Sequence, residues 1–246
     1  MLNTILNHRS IRKYKDIPVS EEILSKILNA GMRAATTGNM QVYSIIVTKD
    51  TEMKKKLWEF HFKQNMILEA PLVLTFFADF NRFNKWCKAR NAEPGYNNFL
   101  SFVTAAIDAL LAAQNVCIAA ESFGLGTCYL GTTTYQAAKL IDFFKCPKDV
   151  VPITTLVIGY PNENPELTDR LPAKGVIHNE MYNDYSIDDI NSIYSEKESL
   201  ASTKELIEIN QLENLAQIFT NKRYPKKDNE FFSEELLKVL KNQGYL

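Results

Sequence analysis

His8, Arg9, Ser10 and Arg12, in the run NHRSIRKYKD, crowd strong hydrogen-bond donors into a region where chain ends usually carry little information. Arg9 and Arg12 are three residues apart, a spacing that puts both on roughly one face of a helical turn. Paired guanidinium forks suit a phosphate, because each is planar, permanently charged and bidentate. Ser10 and free backbone N–H groups at a helix start would add further donors. The plainer reading is a solvated basic turn with Arg12 paired to Asp16.

Other candidates are scattered along the chain. Thr36, Thr37, Asn39 and Gln41 in RAATTGNMQ offer hydroxyl and amide contacts to a heterocycle, or simply end a helix in a turn. Gln64 in HFKQNMILEAP reads, on local evidence, as a surface helix position. GLGTCYLGTT carries Gly124, Gly126 and Gly131, which let a backbone approach a flat ligand closely. Their spacing is not that of a dinucleotide-binding G-x-G-x-x-G. Arg170 in TDRLP is either a third anion ligand or a partner for Asp169 or Glu166. The four cysteines form no CxxC pair and the three histidines are dispersed, so no metal site is expected. No Ser/His/Asp or Cys/His constellation is legible, and Cys128 beside the glycine loop reads as a packed thiol.

Around these residues the pattern alternates helix and strand. IPVSEEILSKILNAGMRAA begins a helix at a Ser20 N-cap, with Glu21 and Glu22 in its first turn and an apolar stripe through Ile23, Leu24, Ile27 and Leu28. VYSIIVTKD, APLVLTFFADF, GLGTCYLG and VPITTLVIGYP read as strands, the second covered on both faces. A charged helix starts near Thr51, and a short one runs near 134–144. Residues 99–124 are apolar enough to suggest a membrane span, yet contain Asp108, Gln114, Asn115 and Glu121, each costly at membrane depth. Their many alanines predict a central buried helix instead. From Pro161 the chain reads as an extended arm, and from Ser186 as polar helices.

These elements predict an α+β protein: a central mixed sheet packed by helices, with one long central helix and a helical extension over about 186–246 of a single domain spanning 1–246. A net charge of −1 gives no global attraction for nucleic acid or a membrane surface. The opening MLNTILNHRS is too short and polar for a signal-peptide core, and reduced thiols suit a cytoplasmic protein. A polar extension of this length suits wrapping around a second copy of the chain.

The order of HRSIR, TTGNMQ, AAESFGLGTCYLG and GYPNENPELTDRLP resembles the nitroreductase superfamily of FMN-dependent oxidoreductases, nearest its NADPH-preferring nitroreductase and flavin reductase branch. The resemblance runs from about residue 5 to 185 and continues more loosely beyond. It implies that His8, Arg9, Ser10 and Arg12, with Arg170, hold the FMN phosphate and ribityl chain. It implies that Gln64 meets the isoalloxazine edge, and that Tyr129, Leu130, Gly131 and Thr132 lie along the ring. Thr36, Thr37 and Asn39 would reach the FMN of the other subunit, which requires a homodimer with sites at its interface. Arg223, in TNKRYPKKDN, is the candidate for the extra phosphate of NADPH, a solvated basic loop being the alternative. Where the branch often has Lys-x-Arg, this chain has Thr168-Asp169-Arg170.

The implied reaction is ping-pong hydride transfer from NADPH or NADH, through FMN, to nitroaromatic, quinone or flavin acceptors, with no catalytic side chain. The alternatives are an FMN storage or sensor protein without turnover, and an enzyme of this fold with a different acceptor. A helical interaction module whose basic turns are only surface is a third.

Overall fold

The structure, a computed structural model, describes residues 1–246. Its framework is a four-stranded sheet in the order β1-β2-β4-β3, with β1 Tyr43–Thr48, β2 Leu72–Asp79, β3 Gly126–Leu130 and β4 Val150–Gly159. All three strand pairs are antiparallel. Where the sequence reading expects a mixed sheet, the parallel component is one isolated bridge, Ser10 to Thr127. The segment cannot extend that bridge into a strand because its amides turn to side chains. Arg12 N and Lys13 N donate to Glu163, and Tyr14 N donates to Glu69. Strand β2 is buried along its whole length, as its unbroken apolar run predicts. Opposite its Phe76 and Phe77 stand Thr154 and Pro152, so β4 bulges at Ile153 beside a proline with no N–H for the ladder.

Seven helices surround the sheet in this part of the chain: α1 Leu2–Leu6, α2 Glu21–Met32, α3 Thr51–Phe60, α4 Met66–Glu69, α5 Asn81–Lys88, α6 Phe99–Ser122 and α7 Ala137–Phe144. Ser20 caps α2 by accepting from Ile23 N, and Asp50 caps α3 by accepting from Met53 N. Helix α6 buries Ala105, Ala109, Ala112, Ala113 and Ala120 completely. These small residues admit α2 so closely that a Cβ on Gly31 would lie 2.5 Å from Val116 Cγ2.

Length and composition alone would let α6 cross a membrane. Its Asp108, 1% exposed, instead accepts hydrogen bonds from Thr37 N at 3.0 Å and Val42 N at 3.4 Å, tying the helix into the core. The sequence reading of a wholly buried helix holds for one face only: Leu100, Ile107, Leu110 and Leu111 are exposed.

The chain divides into two compact units, Met1–Leu167 with Ser233–Leu246, and Thr168–Phe232. The second contains α8 Ile187–Ser199, α9 Ala201–Asn210, α10 Leu215–Ile218 and a π-helical turn over Phe219–Arg223. Helix α8 begins in a capping box between Ser186 and Asp189. The last helix, α11 Lys226–Gln243, belongs to the first unit from Ser233 onward. There Val239, Leu240 and Tyr245 pack with Phe80, Ala105 and Val151.

Candidate functional site

The segment carrying His8 to Arg12 lies along β3. Ile11 N donates to Thr127 O at 2.8 Å, next to the Ser10–Thr127 bridge. Gly126 permits this contact, since a Cβ there would stand 2.6 Å from Ile11 Cγ1. That glycine serves packing between two backbone segments. Gly131 differs: a Cβ there would meet nothing within 4 Å, so its backbone faces open space.

The donors at this end are arranged in three ways. His8 Nδ1 sits 2.7 Å from Glu121 Oε1, the same oxygen that accepts from Thr127 Oγ1 at 2.8 Å. Glu121 thereby orients the imidazole and joins it to β3. Arg9 Nη1 donates to Asn164 Oδ1 at 2.5 Å, while its Nε is buried with no partner. Arg12 is exposed, and its guanidinium enters no salt bridge; the ion pair with Asp16 is not formed. Beside Arg9, Glu121, Gly126, Glu163 and Asn164 is a cavity of about 250 Å³. His8, Cys117 and Glu121 bring their potential ligand atoms within 4.8 Å of one another. Burial pushes the Cys117 thiol up to about 12, so it stays protonated, and the carboxylate is already shared between His8 and Thr127.

Beyond the end of β3, neutral polar groups close on one another. Thr133, fully buried, bonds Leu130 O at 2.9 Å and Thr155 Oγ1 at 3.0 Å, which pins the turn holding Gly131 and Thr132. Thr132 Oγ1 lies 2.7 Å from His61 Nδ1 and 3.4 Å from Gln64 Nε2. Gln64 Nε2 also donates to His61 O at 3.1 Å. Gln64 is therefore a half-buried turn residue between α3 and α4, where the sequence reading had a surface helix position. Tyr129 OH donates to Gln114 at 3.3 Å, and the Leu130 side chain fills the core, leaving only its backbone to face a ligand.

His61 was not a candidate from the sequence. It stands four residues after Leu57, just past the end of α3, both fully buried, and such a position reads as core. Burial drops its pKa to about 4, so the ring is neutral.

The other predicted residues sit elsewhere. Thr37 and Asn39 form a 3₁₀ turn after Thr36, with Asn39 at φ 56° and Gln41 at φ 54°, and the turn bonds to Asp108 of α6 rather than to residues 8–12. Arg170 and Arg223 belong to the second unit. Arg170 forms no ion pair with Asp169 or Glu166; it donates to the carbonyls of Thr168 and Asp169, while Asp169 pairs with Lys197 at 2.6 Å. Arg223 lies 5.3 Å from the centre of the Phe219 ring in a cation–π arrangement. All four cysteines are free, and burial raises the Cys128 thiol, which leaves no activated nucleophile beside the loop.

The sequence profile of the Nitroreductase family matches residues 5–160. A NADPH-flavin oxidoreductase of Vibrio harveyi is 33% identical over 193 residues, covering 78% of each chain. An FMN reductase [NAD(P)H] of Bacillus subtilis is 36% identical over 190 residues, covering 74% of each. A crystal structure of a Bacteroides fragilis protein described as an oxidoreductase superimposes with a TM-score of 0.97 at 53% identity, over 99% of both chains.

Proposed function

The chain belongs to the nitroreductase family, and from that premise we propose that it is an FMN-dependent oxidoreductase using NADPH or NADH as electron donor. The observation that carries this reading is the pairing of Ser10 with Thr127. It sets the donor-rich segment 8–12 against the strand that leads to residues 129–132, so the two parts of a flavin site form one continuous edge.

The residues present fit FMN. Arg9 Nε is a buried donor without an acceptor, Arg12 is free of any salt bridge, and Gly131 keeps space open beside its backbone. A dianionic phosphate supplies the acceptors these guanidinium groups lack. His8, Arg9, Ser10 and Arg12 hold the phosphate and ribityl end; Gln64, Tyr129, Leu130, Gly131 and Thr132 hold the ring. When bound, FMN supplies hydride acceptance and donation in two half-reactions, with nitroaromatics, quinones or free flavin as acceptors. The protein contributes binding, orientation and donors toward negative charge on the ring. Arg223 is the contact for the additional phosphate of NADPH.

The functional unit is a homodimer of single-domain chains, residues 186–246 forming a helical extension, and it works in the cytoplasm. The exposed face of α6 with Leu100, Ile107, Leu110 and Leu111 supports dimerisation. In that dimer, Thr36, Thr37 and Asn39 of the partner subunit complete the site.

Two measurements test this. Incubation with FMN and gel filtration are expected to leave one flavin per chain in a particle of twice the chain mass. A monomer without flavin would refute the reading.

A further inference from the structure

We propose that His61 is a positioning residue that sets the hydrogen-bonding polarity of the ring end of the site. It holds Thr132 so that its hydroxyl is a donor, beside a Gln64 whose carbonyl is an acceptor. The inference rests on the FMN reading above and adds His61, a side chain that reading does not use.

The His61 imidazole is fully buried and neutral, so it carries a single N–H. Its Nε2 is enclosed with no partner, and its Nδ1 is 2.7 Å from Thr132 Oγ1. A proton on Nε2 would be a buried donor with no acceptor, an arrangement folded proteins avoid more strictly than an unused lone pair. The proton therefore belongs on Nδ1, donating to Thr132.

Gln64 is fixed by similar logic. The His61 carbonyl can only accept, so the Gln64 atom 3.1 Å from it is the amide nitrogen. That nitrogen also donates to Thr132 Oγ1 at 3.4 Å. Both lone pairs of the Thr132 oxygen are then occupied, one by His61 and one by Gln64, and its own O–H must donate elsewhere. Gln64 Oε1, with no protein partner and not enclosed, remains an acceptor. A donor beside an acceptor complements a ring carbonyl beside a ring N–H, the pattern on the pyrimidine edge of a flavin. A buried neutral imidazole thus decides what its neighbours offer.

The test begins with FMN-free protein carrying ¹⁵N-labelled histidine, with His61 assigned by its loss in His61→Leu. Between pH 5 and 8 its ring is expected to stay neutral with the proton on Nδ1. A proton on Nε2, or an imidazolium in that range, would overturn the inference. FMN affinity is then compared among wild type, His61→Leu and His61→Asn, whose amide nitrogen reproduces the Nδ1–H donor. His61→Leu is expected to bind about tenfold more weakly, the scale of one lost hydrogen bond in a closed network, while His61→Asn stays within about threefold of wild type. Thr132→Val is expected to weaken binding by a similar factor, and the double variant His61→Leu/Thr132→Val no further. Wild-type affinity in all four variants, or additive losses in the double variant, would overturn the proposed coupling. A wild-type protein that takes up no FMN would instead refute the underlying site, while the tautomer measured on the free protein still decides the His61 geometry.

Discussion

At one end of the site, around Arg9 and Arg12, the polar groups are long, charged and partly in solvent; at the other, around His61, Gln64 and Thr132, they are neutral and packed into one another. The arginine end is poised for a ligand: Arg12 has no ion pair and Arg9 keeps a buried Nε unpaired. The ring end is already bonded within the protein, through Thr132, Gln64 and the buried Thr133. Charge supplies affinity where the ligand is an anion, and a rigid neutral frame supplies orientation where the ligand is a flat ring. Substitutions at the two ends should accordingly separate affinity from stability.

The largest effect is expected from removing both guanidinium groups. Arg9→Ala and Arg12→Ala should each cost about 1–3 kcal/mol of FMN binding, the scale of lost charge-assisted hydrogen bonds, with the losses combining to at least about 30-fold in Kd. Because Arg12 is exposed, Arg12→Ala should leave the Tm of the flavin-free protein nearly unchanged. A lowered Tm with unaltered affinity would reverse the comparison.

The ring end should show itself in acid. His61 is held neutral with a pKa of about 4, whereas in the unfolded chain it titrates near 6.5. Below about pH 6.5 the unfolded state binds the extra proton, so stability falls by about 1.4 kcal/mol per pH unit until pH reaches about 4, and is unaffected by this group above 6.5. Urea denaturation of wild type and His61→Asn across pH 4–8 should show the slope in the former and a shallower one in the latter. Parallel curves would mean the histidine is accessible to protons in the folded state.

Away from both ends, Gly31→Ala should destabilise by about 1–3 kcal/mol through overpacking of α2 on α6, because the added carbon meets Val116 at 2.5 Å. FMN affinity, measured where the protein remains folded, should not change. The smallest effect is assigned to Cys128→Ala: a modest loss of Tm from a buried thiol and unchanged turnover. Lost turnover with intact FMN would give the thiol a part in the chemistry.

Much of the framework was legible because its signals are local. Ser20 and Asp50 cap helices through their own neighbours, and the apolar run of β2 announces a strand covered on both faces. The segment 8–12 was legible by residue type only as a choice between an anion site and a solvated basic turn, since paired guanidinium groups suit either. His61 was not, because its meaning lies in Thr132, a residue 71 positions away that only the fold brings to it. Gly126 and Gly131 look alike in sequence, yet one is required by Ile11 and the other borders open space. Asp108 looked merely like an obstacle to a membrane span, and its use as the anchor of the 36–42 loop depends on helix packing.

The central claim is that this edge of the sheet holds a flavin that a nicotinamide can reduce. The direct measurement is anaerobic titration of FMN-loaded protein with NADPH and then NADH, followed by visible absorption. The account predicts that the bound flavin bleaches with one equivalent of donor and regains its colour on adding a nitroaromatic or a quinone. A tightly bound flavin that neither donor bleaches would contradict it and leave a flavin carrier in place of an oxidoreductase.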